Sequence, residues 1–113
     1  CDGNYPYGTD DKGPYLGRTS QVGAYATKAP HPWGLCDMHG NVLQWCRDWY
    51  DSSYYKISPG VDPLCDGGEQ KSRVLRGGSW IISAGSCRAA NRNGFEPGFR
   101  NSVIGFRVSL RLD

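Results

Sequence analysis

Two stretches in the second half of the chain have the hydrophobic pattern of β-strands. Residues 73–80 read RVLRGGSW, and residues 105–110 read GFRVSL. Both are rich in Val, Leu and aromatic residues, and each contains glycine where the backbone turns or comes close to another strand. The pattern therefore predicts two strands that frame the residues between them.

The segment between these strands, residues 81–104, has neither a helical period nor sustained strand alternation. Gly, Pro, Asn and Ser alternate irregularly with Ile, Phe, Glu and Arg. Such a composition is typical of surface loops held by a scaffold, where binding residues are concentrated. We therefore predict that this segment forms a ligand-binding face. The alternative is that Phe95 and Phe99 fold inward as core residues.

Earlier in the chain, residues 32–50 carry a dense set of aromatic residues whose periodicity fits two structures. On a helix, Val42, Trp45, Cys46 and Trp49 would share one face. On a strand, Leu43 and Trp45 would point to one face and Val42 and Cys46 to the other. The pattern leaves both structures open. Residues 21–25 are predicted to form a brief strand.

The composition limits the size and class of the fold. A chain of 113 residues allows one domain with a modest core, and 16 Gly, 7 Pro, 7 Tyr and 4 Trp favour irregular, aromatic packing over long helices. No apolar run is long enough to predict a membrane span, and no leader precedes Cys1. The sequence does not predict the compartment.

Charge is unevenly distributed along the chain. Residues 1–70 have 5 basic and 9 acidic side chains, and residues 71–113 have 8 basic and 2 acidic ones. A basic end can contact nucleic acid or another polyanion. The arginines here are spaced singly, without a lysine-rich run, which favours pairing inside the fold. We therefore expect no nucleic-acid partner.

The five cysteines, at positions 1, 36, 46, 65 and 87, match no CxxC zinc or redox spacing. An odd number leaves at least one thiol outside any intramolecular disulfide. The sequence leaves open whether one or two disulfides form.

A turn rich in oxygen ligands precedes the aromatic segment. Asp37 and Gln44 flank a Gly-Asn turn whose carbonyl oxygens could converge with their side-chain oxygens. Calcium takes six to eight oxygen ligands in a flexible shell, so this turn is a candidate calcium site. The alternative is an Asp-stabilised turn that binds nothing.

Four motifs resemble the formylglycine-generating enzyme family, also called sulfatase-modifying factor domains. They are WGLCDMHGNVLQW from residue 33, RVLRGGSW from residue 73, CRAANR from residue 87, and GFRV from residue 105. The resemblance implies a C-type lectin-like fold of the FGE-sulfatase type, an irregular α+β structure with short antiparallel strands. It also implies that residues 1–113 form a single domain that lacks the family's N-terminal part.

The family has two metal sites. The resemblance implies candidate ligands for its calcium site in this sequence, whereas its copper site lacks a cysteine here. The family's calcium ligands fall on Asp37, Gly40, Val42 and Gln44, with Gln44 in place of the usual glutamate. Family enzymes bind copper through two cysteines five positions apart, and the first of these positions is Ile82. Copper(I) needs soft thiolate ligands, so the loss of this pair argues against copper and against oxidase activity. Ser79 matches a family active-site serine and is left with a structural role.

Residues 81–107 also resemble the variable region of proteins diversified by retroelements, many of which share this fold. This second resemblance implies a module that binds a protein or another macromolecular ligand through variable side chains. The candidate positions are Ile81, Ile82, Ser83, Ser86, Asn91, Asn93, Gly94, Phe95, Glu96, Phe99, Asn101, Ser102 and Val103. The alternatives are a copper-dependent formylglycine-generating oxidase and an accessory or structural domain of a larger enzyme.

Overall fold

A four-stranded sheet organises the protein. The structure, a computed structural model, describes residues 1–28 and 30–110. The strands are β1 (Leu43–Trp49), β2 (Arg73–Arg76), β3 (Asn93–Phe95) and β4 (Ile104–Gly105), in the order β3-β2-β1-β4. Two 3₁₀ helices, Tyr54–Lys56 and Ala84–Cys87, lie in the connections.

The aromatic segment that allowed either a helix or a strand forms the central strand β1. Asp37, Gly40 and Asn41 have positive φ angles of 55°, 101° and 63°, so the chain turns sharply before the strand and no helix runs through this region. β1 then pairs antiparallel with β2, with Trp45 opposite Leu75. Long-range pairing with β2 therefore decides a structure that local periodicity leaves open.

The first predicted strand is confirmed over Arg73–Arg76 and ends earlier than expected. Gly77 and Gly78 have φ angles of +90° and +73°, a conformation incompatible with an extended strand. The second predicted strand, residues 105–110, is wrong beyond Gly105. The strand β4 ends at Gly105 and pairs in parallel with β1, with Leu43 opposite Ile104. Residues 106–110 join no strand.

Two smaller expectations are also wrong. Residues 21–25 form consecutive turns rather than a strand. Residues 81–104, expected to be irregular throughout, contain the second 3₁₀ helix and β3, which pairs antiparallel with β2 in the register Arg73 to Phe95. The sheet is therefore mixed, with antiparallel pairs on both sides of β2 and one parallel pair at β4.

The core is small and lies around β1 and β2. The buried apolar residues of the described chain are Leu43, Cys65, Val74, Leu75 and Cys87. All five cysteines are free thiols. The N-terminal segment is tied to this core, because the Asp2 N–H donates to the Ile82 carbonyl oxygen at 2.9 Å and the Ala84 N–H donates to the Tyr5 carbonyl oxygen at 3.1 Å.

Candidate loop-face binding site

The loop face, residues 81–103, is fixed to the sheet through its backbone. The Arg76 guanidinium donates to the Ala89 carbonyl oxygen at 2.6 Å, and Trp80 Nε1 donates to the Ser102 carbonyl oxygen at 3.4 Å. The Leu43 N–H donates to the Val103 carbonyl oxygen at 2.8 Å. Because these bonds use main-chain atoms of the loops, they fix the loop backbone without occupying the loop side chains.

All thirteen candidate residues are exposed or partly exposed, and none belongs to the buried core. Within residues 81–103 the buried residue is Cys87. A surface of this kind can change its side chains without opening a cavity in the core.

Twelve of the thirteen residues divide into two patches. The Ile81 patch follows Gly77 and Gly78 and contains Ile81, Ile82, Ser83, Ser86, Asn101, Ser102 and Val103. The Phe95 patch belongs to β3 and its following turn and contains Asn93, Gly94, Phe95, Glu96 and Phe99. The antiparallel register places Phe95 beside Arg73, the first residue of β2, whereas Ile81 follows the two glycines after the last residue of that strand. Asn91 lies in the turn that leads into β3.

Phe95 and Phe99 form the aromatic centre of the second patch. Their rings stack with centroids 4.8 Å apart and an interplanar angle of 12°, and the residues are 37% and 40% exposed. A turn closed by the Phe99 N–H and the Glu96 carbonyl oxygen, 2.9 Å apart, brings the rings together. The two residues are therefore surface residues, and the inward-facing alternative is wrong.

Behind this patch lies a group of arginines stacked on aromatic rings. The Arg92 guanidinium carbon lies 4.1 Å from the Tyr55 ring centroid, and Arg92 donates to the Asp51 carbonyl oxygen at 3.1 Å. The Arg73 guanidinium carbon lies 3.8 Å from the Trp49 ring centroid. No sequence pattern predicts this group, because its members are up to 43 positions apart and no spacing signals their contact.

Gly94 has a structural reason to be glycine. A Cβ atom there would lie 2.6 Å from Cγ of Tyr50, whose ring also contacts Arg92. Any side chain at Gly94 would therefore push Tyr50 away from the sheet.

Ser79 and Cys87 occupy the interior below the Ile81 patch. Ser79 is completely buried, and its hydroxyl has no hydrogen-bond partner among the described residues. Burial raises the pKa of the Cys87 thiol, an effect partly offset by the nearby N-terminal ammonium and by the Ser79 N–H. A thiol with a raised pKa stays protonated near neutral pH and is a poor metal ligand without a second cysteine.

The four candidate calcium ligands lie in the turn before β1 and at the start of that strand, and two of their side chains already have partners. The Asp37 carboxylate accepts the Gly23 N–H at 2.7 Å. The Gln44 Oε1 atom accepts Arg107 Nε at 3.0 Å, and Gln44 Nε2 contacts the Asp37 carbonyl oxygen at 3.4 Å. The donor set has the oxygen chemistry of calcium, but the Arg107 charge beside Gln44 opposes a cation there.

Within residues 1–28 and 30–110, no three His, Cys, Asp or Glu side chains are grouped as metal ligands. No helix in this part of the chain combines the length and apolar character needed to cross a membrane.

A small mixed sheet with few helices and long, tied loops defines a C-type lectin-like fold of the FGE-sulfatase type. The chain belongs to the family of the sulfatase-modifying factor enzyme 1-like domain, whose model matches residues 3–112. The resemblance seen in the sequence motifs is thereby confirmed.

Three similar proteins show how this domain is distributed. The chain is 42% identical over 85 residues to the serine/threonine-protein kinase pkn1 of Chlamydia pneumoniae, covering 74% of this chain and 14% of the kinase. It is 39% identical over 87 residues to the formylglycine-generating enzyme of Streptomyces coelicolor, covering 74% of this chain and 27% of the enzyme. The structure of Treponema denticola variable protein 1 matches with a TM-score of 0.66 and 34% identity, covering 91% of this chain and 34% of that protein. The chain thus spans about a third or less of the length of each of these three proteins.

Proposed function

We propose that this chain is a non-catalytic module that binds a protein or another macromolecular ligand through the loop face. The observation that carries the proposal is the full or partial exposure of twelve candidate side chains, all except Gly94 having one, on loops whose backbones are bonded to the sheet. A backbone fixed before binding loses little conformational entropy when a ligand docks. The replacement of the family's first copper cysteine by Ile82 supports the absence of catalysis.

The Phe95 patch supplies the stronger anchor for such a ligand. Stacked, partly exposed aromatic rings bury a large apolar area at low entropic cost, and the adjacent Glu96 carboxylate adds a directional acceptor. The Ile81 patch offers an exposed isoleucine together with the exposed polar side chains of Asn101 and Ser102. A ligand that contacts residues of both patches must cover a broad and largely exposed surface, which favours a macromolecule, since small-molecule sites are concave.

A display library tests this proposal. Ile81, Phe95, Glu96, Phe99, Asn101 and Ser102, all exposed, are randomised while Gly94 stays fixed. We expect members that stay resistant to protease and that bind lysozyme, used as a model protein target, with dissociation constants below about 1 μM.

The control library randomises six residues that are also exposed but lie away from the loop face. They are Asp10, Lys12, Val22, Ile57, Val61 and Glu69. We expect no comparable binders from this library, because its positions do not share a tied loop surface. Equal yields from the two libraries, or loss of folding throughout the first one, would contradict the proposal.

We further propose that the loop face is diversified by a retroelement. The second sequence resemblance and the structural similarity to a protein named variable protein 1 both support this origin. Deep sequencing of the gene in a population grown from one cell should show substitutions concentrated at the loop-face positions, with residues 73–80 constant. An invariant loop face would leave a fixed binding module.

A second candidate function is an accessory domain of a larger protein. It is favoured by the similarity to pkn1, of which the matched region is only 14%, and this chain lacks the kinase GxGxxG, HRD and DFG motifs. Hydrogen exchange on the complete gene product separates the two candidates. An accessory domain would be protected by its neighbour over the loop face, whereas a binding module would leave that face free.

We also propose a weak calcium site at Asp37, Gly40, Val42 and Gln44. One carboxylate, one amide oxygen and two carbonyl oxygens beside Arg107 correspond to millimolar rather than micromolar affinity. About 10 mM calcium should then stabilise the fold by about 1.4 kcal/mol, and about 0.1 mM should have no measurable effect. Asp37→Ala should remove the rise in melting temperature, with Asp10→Ala as the control. No shift at the higher concentration would exclude the site.

A further inference from the structure

Arg88 and Tyr7 make a contact beside the Ile81 patch that involves none of the thirteen candidate residues. The Arg88 guanidinium carbon lies 5.2 Å from the centroid of the Tyr7 ring, within the range of a cation–π interaction. Arg88 is exposed, and Tyr7 is 61% exposed. Both side chains are therefore accessible to a ligand that docks on the loop face.

The Tyr7 ring is held in place by its own segment and by the turn beneath it. The backbone of residues 2–5 is hydrogen-bonded to that of residues 82–84 at 2.9 and 3.1 Å. A Cβ atom at Gly85 would lie 3.3 Å from Cδ2 of Tyr7, closer than most carbon contacts, so the missing side chain leaves room for the ring. The ring is thereby fixed beside Arg88 before any ligand arrives.

The guanidinium of Arg88 is oriented but not saturated. Its Nε atom donates to the Gly85 carbonyl oxygen at 2.7 Å. Within the described part of the chain this is the one hydrogen bond that Arg88 makes, so both terminal nitrogens are free to donate. Two parallel N–H groups match the two oxygens of a carboxylate, and a guanidinium that is already oriented loses little entropy on binding.

Few acidic side chains are available to neutralise Arg88. Residues 71–110 contain one acidic residue, Glu96, which belongs to the Phe95 patch. On the segment paired with the loop face, Asp2 is buried, and its carboxylate accepts the Asn4 N–H at 2.9 Å. The positive charge of Arg88 is therefore left for a ligand, and complementarity favours an acidic one.

We propose that Arg88, held by Tyr7 and Gly85, binds a carboxylate in an acidic segment of a protein ligand, a step that rests on the proposed function and names the chemistry of its ligand. Ile81 is 50% exposed and offers the neighbouring apolar contact. Residues 72–110 contain arginines but no lysine, and protein interfaces are enriched in arginine and aromatic residues and depleted of lysine. This composition favours a protein over a nucleic acid, which is bound through many phosphate contacts.

A titration of the unchanged chain with two short peptides tests the proposal. The peptides are acetyl-Leu-Tyr-Glu-Glu-amide and its uncharged counterpart of nearly the same shape, acetyl-Leu-Tyr-Gln-Gln-amide. Followed by NMR, the acidic peptide should bind with a Kd of about 1 mM and shift the Arg88 Nε–H and Gly85 amide signals. The uncharged peptide should bind at least about 10-fold more weakly, because the charge-assisted pair is lost. Equal affinities, or shifts confined to residues away from Arg88, would overturn the proposal.

Substitutions separate this contact from the general positive charge of the loop face. Arg88→Gln should lower the affinity for the acidic peptide at least about 10-fold. Arg100→Gln removes the same charge from another exposed residue of the loop face and should change the affinity less than about 2-fold. Tyr7→Phe keeps the ring and should keep the affinity, whereas Tyr7→Ala should lower it. Equal losses at Arg88 and Arg100 would count against a specific carboxylate site.

The outcome can be told apart from that of the library test. Library binders without a difference between the two peptides would remove the carboxylate site alone. A difference between the peptides without library binders would support the carboxylate site and remove the broader binding face. Tighter binding of a short single-stranded DNA than of the acidic peptide, lost in Arg88→Gln, would overturn the proposal in favour of a nucleic acid.

Discussion

Leu75→Ala is expected to lower the free energy of unfolding by about 3 to 5 kcal/mol. Leu75 is fully buried, lies opposite Trp45 on β1 and Asn93 on β3, and belongs to a core with few other buried side chains. Such a small core cannot close around the cavity that the substitution leaves. The loss is a large part of the stability of a domain of this size, so the melting temperature should fall by more than about 12 °C.

Ile57→Ala is the matched control for this substitution, because it removes a similar apolar volume from a side chain that is 76% exposed. We expect its unfolding free energy to stay within about 0.5 kcal/mol of the unchanged protein. Chemical denaturation followed by tryptophan fluorescence measures both variants. Similar losses at the two positions would show that β2 is not the centre of the core.

The family motifs in the sequence predict the fold class, while local patterns predict the strands only in part. The motif from residue 73 correctly predicts β2, because Val74 and Leu75 are buried and Gly77 and Gly78 turn the chain. The strand β1 could not be distinguished from a helix, since the decision depends on pairing with residues 30 positions away. The strand predicted at residues 105–110 has the correct pattern, but a pattern cannot form a strand without a partner to pair with.

For the candidate binding residues, the sequence composition predicts exposure, whereas the positions of the residues depend on the tertiary structure. Their exposure follows from a loop composition that offers few apolar residues to a core. The position of Phe95 beside Arg73 follows from the register of β3 on β2, which cannot be derived from spacing. The supporting stack of Arg92 on Tyr55 depends on the same tertiary arrangement.

The position of Ile82 decides between the binding module and the copper oxidase. The family's copper site needs two thiolates five residues apart, and Cys87 already occupies the second position. We expect the unchanged chain to bind copper(I) no more tightly than a protein with isolated thiols. Ile82→Cys should increase the affinity at least about 100-fold, because a second soft ligand completes the site.

This increase should depend on pH in a defined direction. Burial raises the pKa of Cys87, and copper(I) must displace the thiol proton, so the apparent affinity should rise between about pH 6 and pH 8. The measurement is a competition for copper(I) against a chromophoric chelator, carried out in a Cys1→Ser background to remove the terminal thiol. Ile82→Ser serves as the control for the substitution itself, and Cys87→Ser in the Ile82→Cys protein should abolish the gain. Tight copper binding by the unchanged chain that Cys87→Ser removes would instead support the oxidase, because a copper site would then exist without a cysteine at position 82.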